Sequence, residues 1–239
     1  MKKKSTEKNY YNGFRDFLTI QNKLCPYMMP SSVKVNVDID NFKKVNRVAR
    51  NTSYYIYAFA RALKMNPRVN AGFIRSGLIF KRPTIVSYEQ VNAGVSIDRE
   101  IGEERFPITY VVEDAHRKTV QEIDKELDYA INKPLEEVPQ FKSFLILSKM
   151  PRFLRKFFMT MTTLSKNKLA KRVGTFSLTN VSGFDFEAAY APCPRLLVAT
   201  GRPKDGLLPL TYNFNHIICD GFQIGKFHKD FVKIFGEIK

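Results

Sequence analysis

Cysteine, acidic side chains and long apolar runs are all scarce in this 239-residue chain. The cysteines, Cys25, Cys193 and Cys219, are odd in number and irregularly spaced, which predicts neither a disulfide framework nor a CxxC zinc site. No uncharged apolar stretch reaches the roughly 18 residues that a membrane-spanning helix needs. Residues 1–14 are basic but precede no apolar run, so we expect no secretory signal peptide. Together these absences predict a cytoplasmic protein without a metal ion.

The shortage of acids leaves 39 Lys and Arg against 23 Asp and Glu, a formal net charge of +16. A charge of this size favours an anionic partner. The basic residues are spread along the chain without a zinc finger, a ribonucleoprotein motif or a phosphate-binding loop, so nucleic acid is not the expected partner. A nucleotide cofactor, an acidic carrier protein and an anionic membrane surface all stay open.

No internal repeat or Pro/Gly/Ser linker divides the sequence, which predicts a single domain over 1–239. Val33, Val35, Val37 and Ile39 alternate with polar neighbours, the period of a half-buried strand. Strands and helices are mixed without strict alternation, which favours an α+β sandwich over a doubly wound fold. The predicted helices are 11–24, 40–65, 116–133 and a last one ending near 237, and the predicted strands are 31–39, a hairpin and a further strand within 71–97, 108–114, 174–180, 186–191, 195–200 and 207–214.

The segment 141–172, called the basic segment below, carries nine Lys and Arg and no acid, with aromatic and Met residues between the charges. Segments of this composition can lie on anionic membranes. They can also line adaptable pockets for apolar ligands, because Met repacks easily. The third interpretation is a core helix flanked by a solvated basic loop.

The stretch NFNHIICDGF (213–222) places His216 four residues before Asp220, between a predicted strand and a predicted helix. A corner between two regular elements can hold an imidazole rigidly against a cleft. Asp220 can cap the following helix, and Gly221 allows close backbone approach or an unusual dihedral angle. The other two histidines, His116 and His228, lie in charged helical stretches and are expected to face solvent.

This HxxxDG stretch resembles the C-terminal signature of chloramphenicol acetyltransferases and of the catalytic domain of 2-oxoacid dehydrogenase dihydrolipoamide acyltransferases. GTFSLTNVSGFDF (174–186) is similar to their GTFTISN stretch, and VVEDAHRKTVQEI (111–123) to a segment reading roughly IRDADKKSLAEI. NPRVNAGF (66–73) resembles their HPxLNA, and PSSVKVNVDID (30–40) the strand that opens their catalytic domain. The pieces occur in the same order over nearly the whole chain. The resemblance implies an α+β, chloramphenicol-acetyltransferase-like two-layer sandwich, with a mixed sheet packed against helices.

The resemblance also implies the catalytic roles. His216 falls on the family's general base, which takes a proton from a hydroxyl, amine or thiol acceptor as the acceptor attacks an acyl thioester. Thr179 falls on the residue whose hydroxyl donates to the oxyanion of the tetrahedral intermediate. Ser177, two positions away on the same strand face, is the alternative candidate for this hydrogen-bond donor.

Supporting residues follow from the same correspondence. Asp220 falls on the family's structural aspartate, which pairs with an upstream arginine, and Arg15 stands at nearly the required distance. Asn180 and Gly221 are expected to support the site structurally, and Cys219 is expected to pack.

The resemblance further implies coenzyme A as co-substrate, a homotrimer with active sites at subunit interfaces, and a small-molecule or lipid-like acceptor. The sequence departs from the family in three ways: Asn215 stands where chloramphenicol acetyltransferases carry a second histidine, the basic segment is longer than usual, and no lipoyl domain or bound lipoyl group is expected. The alternative is therefore a non-catalytic scaffold or assembly partner of a larger acyltransferase or synthase complex, with peripheral membrane attachment as a further expectation.

Overall fold

The computed structural model describes residues 30–43, 48–76, 82–101, 103–163, 166–191 and 195–238. Within them, a six-stranded sheet has the order β1-β8-β7-β6-β4-β5, and β2 and β3 form a separate hairpin. The pairs β4–β6 and β6–β7 are parallel and the other pairs are antiparallel, so the sheet is mixed. The strands are β1 (Pro30–Asp38), β2 (Ala71–Ser76), β3 (Arg82–Ser87), β4 (Ala93–Ile101), β5 (Glu104–Val112), β6 (Phe176–Asn180), β7 (Leu197–Thr200) and β8 (Leu207–Asn215).

Helices cover one face of the sheet, and aromatic side chains form the contact. Phe59 of α2 stacks on Phe231 of α7 with ring centroids 4.0 Å apart, and Tyr212 of β8 meets Phe227 edge to face at 5.6 Å. These rings are buried and lie in one hydrophobic cluster with the apolar side of the sheet. The helices are α1 (Asp40–Lys43), α2 (Asn51–Met65), α3 (Val120–Asn132), α4 (Pro139–Lys149), α5 (Arg152–Thr163), α6 (Lys166–Val173) and α7 (Gly221–Gly236). The α+β architecture predicted from the sequence is confirmed.

Strand β8 shows how the two faces of the sheet differ. Leu210, Tyr212 and Phe214 point to the helices, whereas the alternate residues Thr211 and Asn213 point to the opposite face, and all five are buried. A strand buried on both sides needs partners for its polar side chains. The second face of β8 is therefore polar and covered, and residues 186–191 lie against it.

Residues 186–191 were expected to form a strand, and this prediction is wrong. The segment crosses the polar face, where the Asn213 side-chain amide donates to the Ala189 carbonyl at 3.0 Å and accepts from the Ala191 N–H at 3.2 Å. The Arg202 N–H donates to the Phe186 carbonyl at 3.0 Å. Because these long-range bonds replace a strand ladder, the backbone is irregular.

The predicted helix 40–65 is interrupted, again for a tertiary reason. Arg50, just before α2, is extended, and its N–H donates to Asp124 of α3 at 3.0 Å while its guanidinium meets Asp128 at 2.8 Å. The predicted helix 116–133 begins at Val120, because Thr119 and Glu122 form a capping box there. The predicted strand 31–39 is confirmed, and the predicted helix 11–24 lies outside the described residues.

The basic segment folds mainly as α4, α5 and α6. Phe141 at the start of α4 is buried, but α5 is exposed over residues 152–158, with Phe153 showing 71% of its surface. The interpretation as a core helix is thus wrong for α5. No helix in the described parts of the chain is both long and apolar enough to cross a membrane.

Candidate functional site

The chain turns sharply between β8 and α7, and His216 lies at this turn; residues 215–221 are called the His216 corner. Asn215 shapes it, because its side-chain carbonyl accepts from the Ile217 N–H at 2.9 Å and its backbone carbonyl accepts from Ile218 at 2.8 Å. Ile217 and Ile218 are buried and anchor the turn in the core, whereas the side chain of His216 keeps 38% of its surface exposed. The corner therefore presents a fixed imidazole to solvent. Asn215 has a structural reason to stand where the resembled enzymes carry a second histidine.

The orientation of the His216 ring follows from two contacts. Its Nδ1 lies 3.2 Å from Asp220 Oδ1, and its ring meets Phe214 edge to face at 5.3 Å. A carboxylate accepts hydrogen bonds and does not donate them, so this contact assigns the proton to Nδ1. The lone pair is then on Nε2, the nitrogen that can take a proton from a reacting group.

Asp220 begins α7 as its N-cap residue. Its backbone N–H donates to Gln223 Oε1 at 2.8 Å as part of a capping box, which confirms the expected capping position. The side chain thus serves both the helix and the histidine, a second role that the sequence did not reveal. Arg15 lies outside the described residues, and its pairing with Asp220 stays a prediction.

Thr179 lies near the C-terminal end of β6, half-buried, on the polar face of the sheet. The strand register pairs Thr179 with Ala199 of β7, and Ala199 with Thr211 of β8. Asn215 is four residues beyond Thr211, a distance of about 14 Å along a strand, and two inter-strand steps of about 4.8 Å separate β6 from β8. One copy of the chain therefore does not bring Thr179 to His216. Ser177 lies on the same face, nearer the His216 end by two residues.

The two supporting residues differ in how far the structure explains them. Asn180 donates to Thr52 Oγ1 of α2 at 3.2 Å and accepts from the Ser182 N–H at 3.1 Å, so it ties the end of β6 to a helix. A Cβ built at Gly221 meets no described atom within 4 Å, and its φ is not positive. The expected need for glycine at position 221 stays a prediction.

Two buried asparagines were missed by the sequence interpretation. The Asn92 side chain donates to the Ala170 carbonyl at 3.2 Å and accepts from the Asp114 N–H at 2.9 Å, and Asn213 makes the bonds described above. Both are fully buried. The available signal was an asparagine within an apolar strand stretch, which is typical of a satisfied buried amide.

The other histidines are half-buried, so the expectation that they face solvent is wrong. Burial lowers the pKa of His228, whose Nδ1 lies 2.9 Å from the Tyr212 hydroxyl. Burial also raises the pKa of Tyr212, so the phenol stays neutral and can donate to that nitrogen. Burial, followed by the charge of Lys64, lowers the pKa of His116. Cys219 is buried within the corner, as expected for packing.

Metal binding has no support from the described ranges: they contain no cluster of three or more His, Cys, Asp or Glu side chains suited to hold a metal ion.

By sequence, no protein-family model matches the chain. No curated protein matches it either. By structure, it is similar to a probable dihydrolipoamide acetyltransferase from Listeria monocytogenes, with TM-score 0.58, 17% identity and 96% and 94% of the two chains covered. It is also similar to a truncated catalytic core of the 2-oxoacid dehydrogenase multienzyme complex from Thermoplasma acidophilum, with TM-score 0.59 and 20% identity, over 96% of this chain and 97% of that one. A chloramphenicol acetyltransferase is similar with TM-score 0.57 and 14% identity, over 95% of this chain and 96% of that one.

The chain has the chloramphenicol acetyltransferase fold. The sequence resemblance is confirmed at this level, because neighbours of both expected kinds, dihydrolipoamide acetyltransferase cores and chloramphenicol acetyltransferase, match over nearly their whole length. With identities of 20% or less, the likeness establishes the fold of the chain and leaves its reaction to the residues of the His216 corner.

Proposed function

We propose that the protein is an acyl-CoA-dependent acyltransferase in which His216 is the general base. The observation that carries this proposal is the 3.2 Å contact between His216 Nδ1 and Asp220 Oδ1, which orients the ring and assigns the proton to Nδ1, so that Nε2 carries the basic lone pair. Nε2 removes the proton of a hydroxyl, amine or thiol acceptor as that atom attacks the thioester carbonyl. The tetrahedral intermediate then collapses, the carbon–sulfur bond breaks, and the imidazolium returns the proton to the departing thiolate.

The oxyanion of that intermediate needs a donor, and we assign this role to Thr179 of a neighbouring copy. The register places Thr179 of the same chain too far from His216 for both to touch one carbonyl group. A homotrimer with its sites between subunits, as the family resemblance implies, would supply the missing hydroxyl. Removal of one such donor typically costs about 10²–10³ in kcat.

Coenzyme A is the proposed acyl carrier, and the net charge of +16 suits its phosphates. The acceptor is proposed to be a small or lipid-like nucleophile. The alternative proposal is a scaffold that docks a carrier protein or complex through exposed basic surface, and the exposed aromatic and basic side chains of α5 favour it.

The deciding experiment follows thiol release from acetyl-CoA and longer acyl-CoA substrates with purified protein. Replacement of His216 by Ala should lower kcat about 10²- to 10⁴-fold, because it removes the base without disturbing buried residues. His116→Gln is the matched control, since it alters a half-buried histidine outside the His216 corner, and it should keep the wild-type rate. Thr179→Ala should lower kcat without changing the oligomeric state.

Equal rates of thiol release for the wild type and His216→Ala would refute His216 as the base. An inactive wild type that co-purifies with an acyl carrier protein would favour the scaffold.

A further inference from the structure

A cleft of about 810 Å³ lies at the β5 edge of the sheet. Strand β5 forms its floor, and α4, α5 and α6 form its walls; it is called the α4–α6 cleft below. Its surface is predominantly apolar, and the residues used in the argument are Phe106, Thr109, Phe144, Leu147, Phe158 and Lys171. This volume is within the range of small-molecule pockets and far exceeds what an acetyl group needs.

The walls of the cleft are fixed by specific contacts. Gln140 at the start of α4 binds the backbone of Val111 twice, accepting from its N–H at 2.7 Å and donating to its carbonyl at 3.0 Å. Phe106 and Phe144 stack with ring centroids 5.7 Å apart. At the other wall, a Cβ built on Gly94 would lie 2.4 Å from the Val173 carbonyl, so glycine allows the end of α6 to rest on the sheet. The cleft is thus a built feature of the fold.

The two charged residues that line the cleft, Lys171 and Arg172, are both basic. Residues 140–172 contain no Asp or Glu, and Lys171 both lines the cleft and is exposed to solvent. An apolar cavity with a cationic margin is complementary to a ligand with a hydrocarbon chain and an anionic head group. A neutral hydrocarbon would leave the charge unused, and a compact anion would leave the apolar walls unused.

The cleft wraps the edge strand β5, and its Thr109 side lies on the same face of the sheet as Thr179. Ser177, Gly94 and Val111 form one row across β6, β4 and β5, so Thr179 and Thr109, each two residues from that row, share its face. Thr109 lines the cleft, and β5 is two inter-strand steps from β6, about 10 Å. A chain held in the cleft can therefore extend its head group toward Thr179.

We propose that the α4–α6 cleft binds the hydrocarbon chain of a long-chain acyl thioester, with Lys171 near its anionic end and the thioester directed toward Thr179. This inference rests on the proposed acyl transfer for the identity of the head group. The basic segment then acts as an acyl-chain site and sets the substrate's chain length.

The test measures binding of palmitoyl-CoA and of palmitate below their micellar concentrations, and turnover of acetyl-, octanoyl- and palmitoyl-CoA. Phe144→Asp places a carboxylate in the apolar cleft and should weaken palmitoyl-CoA binding about tenfold or more. The matched control is Phe153→Asp, which adds the same charge on exposed α5 outside the cleft lining and should leave binding unchanged.

A second variant keeps the test valid if Phe144→Asp fails to fold. The chain contains no tryptophan, so Leu147→Trp places a single tryptophan in the cleft wall, which can be excited selectively at wavelengths that the tyrosines do not absorb. Its emission should change saturably with palmitoyl-CoA and not with acetyl-CoA. The bulkier side chain should also lower kcat/KM for palmitoyl-CoA more than for acetyl-CoA.

The outcomes separate the two proposals. The His216→Ala variant should bind palmitoyl-CoA normally and turn over every substrate about 10²- to 10⁴-fold more slowly than the wild type. Cleft-dependent binding with no turnover by the wild type would refute the transferase and retain the chain site, and equal affinity for palmitate would assign that site to free fatty acids. Turnover of acetyl-CoA without saturable long-chain binding would overturn the cleft proposal. Loss of binding in Phe153→Asp alone would overturn it in favour of a lipid surface on α5.

Discussion

The His216 corner and the basic segment differ in the burial of their apolar side chains. In the corner, Ile217 and Ile218 are buried to 3% exposure each, and the backbone around them is tied by Asn215. In the basic segment, Phe153 and Phe157 of α5 keep 71% and 56% of their surface exposed. The apolar side chains of the corner pack inside the chain, whereas those of α5 form an exposed apolar surface of the kind that binds a ligand or a partner.

The charged groups of the two regions also differ in whether they have partners nearby in the sequence. Asp220 contacts His216 and caps α7, so its carboxylate has partners within seven residues. The basic segment has no acid of its own to offset its charge. Proton-transfer chemistry needs a rigid group, and the corner provides one. Recognition of a long apolar anion needs surface and charge, and the basic segment provides both.

The largest expected effect is on stability, and it tests whether the two regions differ in how their apolar side chains are packed. Ile218→Ala should lower the free energy of unfolding by about 2–5 kcal/mol, because it leaves a cavity beneath the corner. The matched change Phe153→Ala should alter it by no more than about 0.5 kcal/mol, because the ring is mostly exposed. Urea denaturation followed by circular dichroism measures both. Similar losses for both variants would mean that α5 is packed in solution, against a second copy or another part of the chain.

The next effect concerns catalysis within the corner. Asp220→Ala removes the acceptor that fixes the His216 tautomer, so kcat for acyl transfer should fall about 10²- to 10⁴-fold. Loss of the N-cap should cost about 1 kcal/mol of stability. The matched variant Asp220→Asn keeps a capping oxygen and should recover the stability more fully than the rate.

If Asp220 serves only to pair with Arg15, the outcome differs. Arg15→Ala and Asp220→Ala would then lower kcat and stability equally, and the double variant would be no worse than either alone. An additive result would assign the two residues to separate roles.

The sequence predicted the His216 corner well because the signals for it are local. An apolar strand pattern ends at Asn215, and Asp220 precedes a helical pattern, so strand, turn and cap follow from one continuous stretch, residues 207–220. The strand at 31–39 is equally local, since alternation alone defines it.

The errors occur where distant residues decide the backbone. The helix break before α2 depends on Asp124 and Asp128, more than 70 residues from Arg50. The irregular path of 186–191 depends on the side chain of Asn213. The distance between Thr179 and His216 depends on the strand order, which periodicity does not encode. The cleft likewise arises from three helices meeting an edge strand, and composition alone left its interpretation open.

The smallest predicted effect lies in the core that supports the corner. Burial lowers the pKa of His228 below its usual value of 6.5, so the unfolded chain binds this proton more tightly than the folded chain does. Stability is therefore complete above about pH 6.5 and declines as the pH falls through that value toward the lower pKa of the folded state. Urea midpoints at pH 7.5 and 5.5 should differ less in His228→Gln than in the wild type, because glutamine can accept from Tyr212 without titrating.

His116, with a pKa lowered in the same direction, supplies a second acid-sensitive contribution, so His116→Gln should remove part of the remaining difference. A difference between the midpoints that both variants leave unchanged would contradict this assignment of the acid sensitivity to His116 and His228.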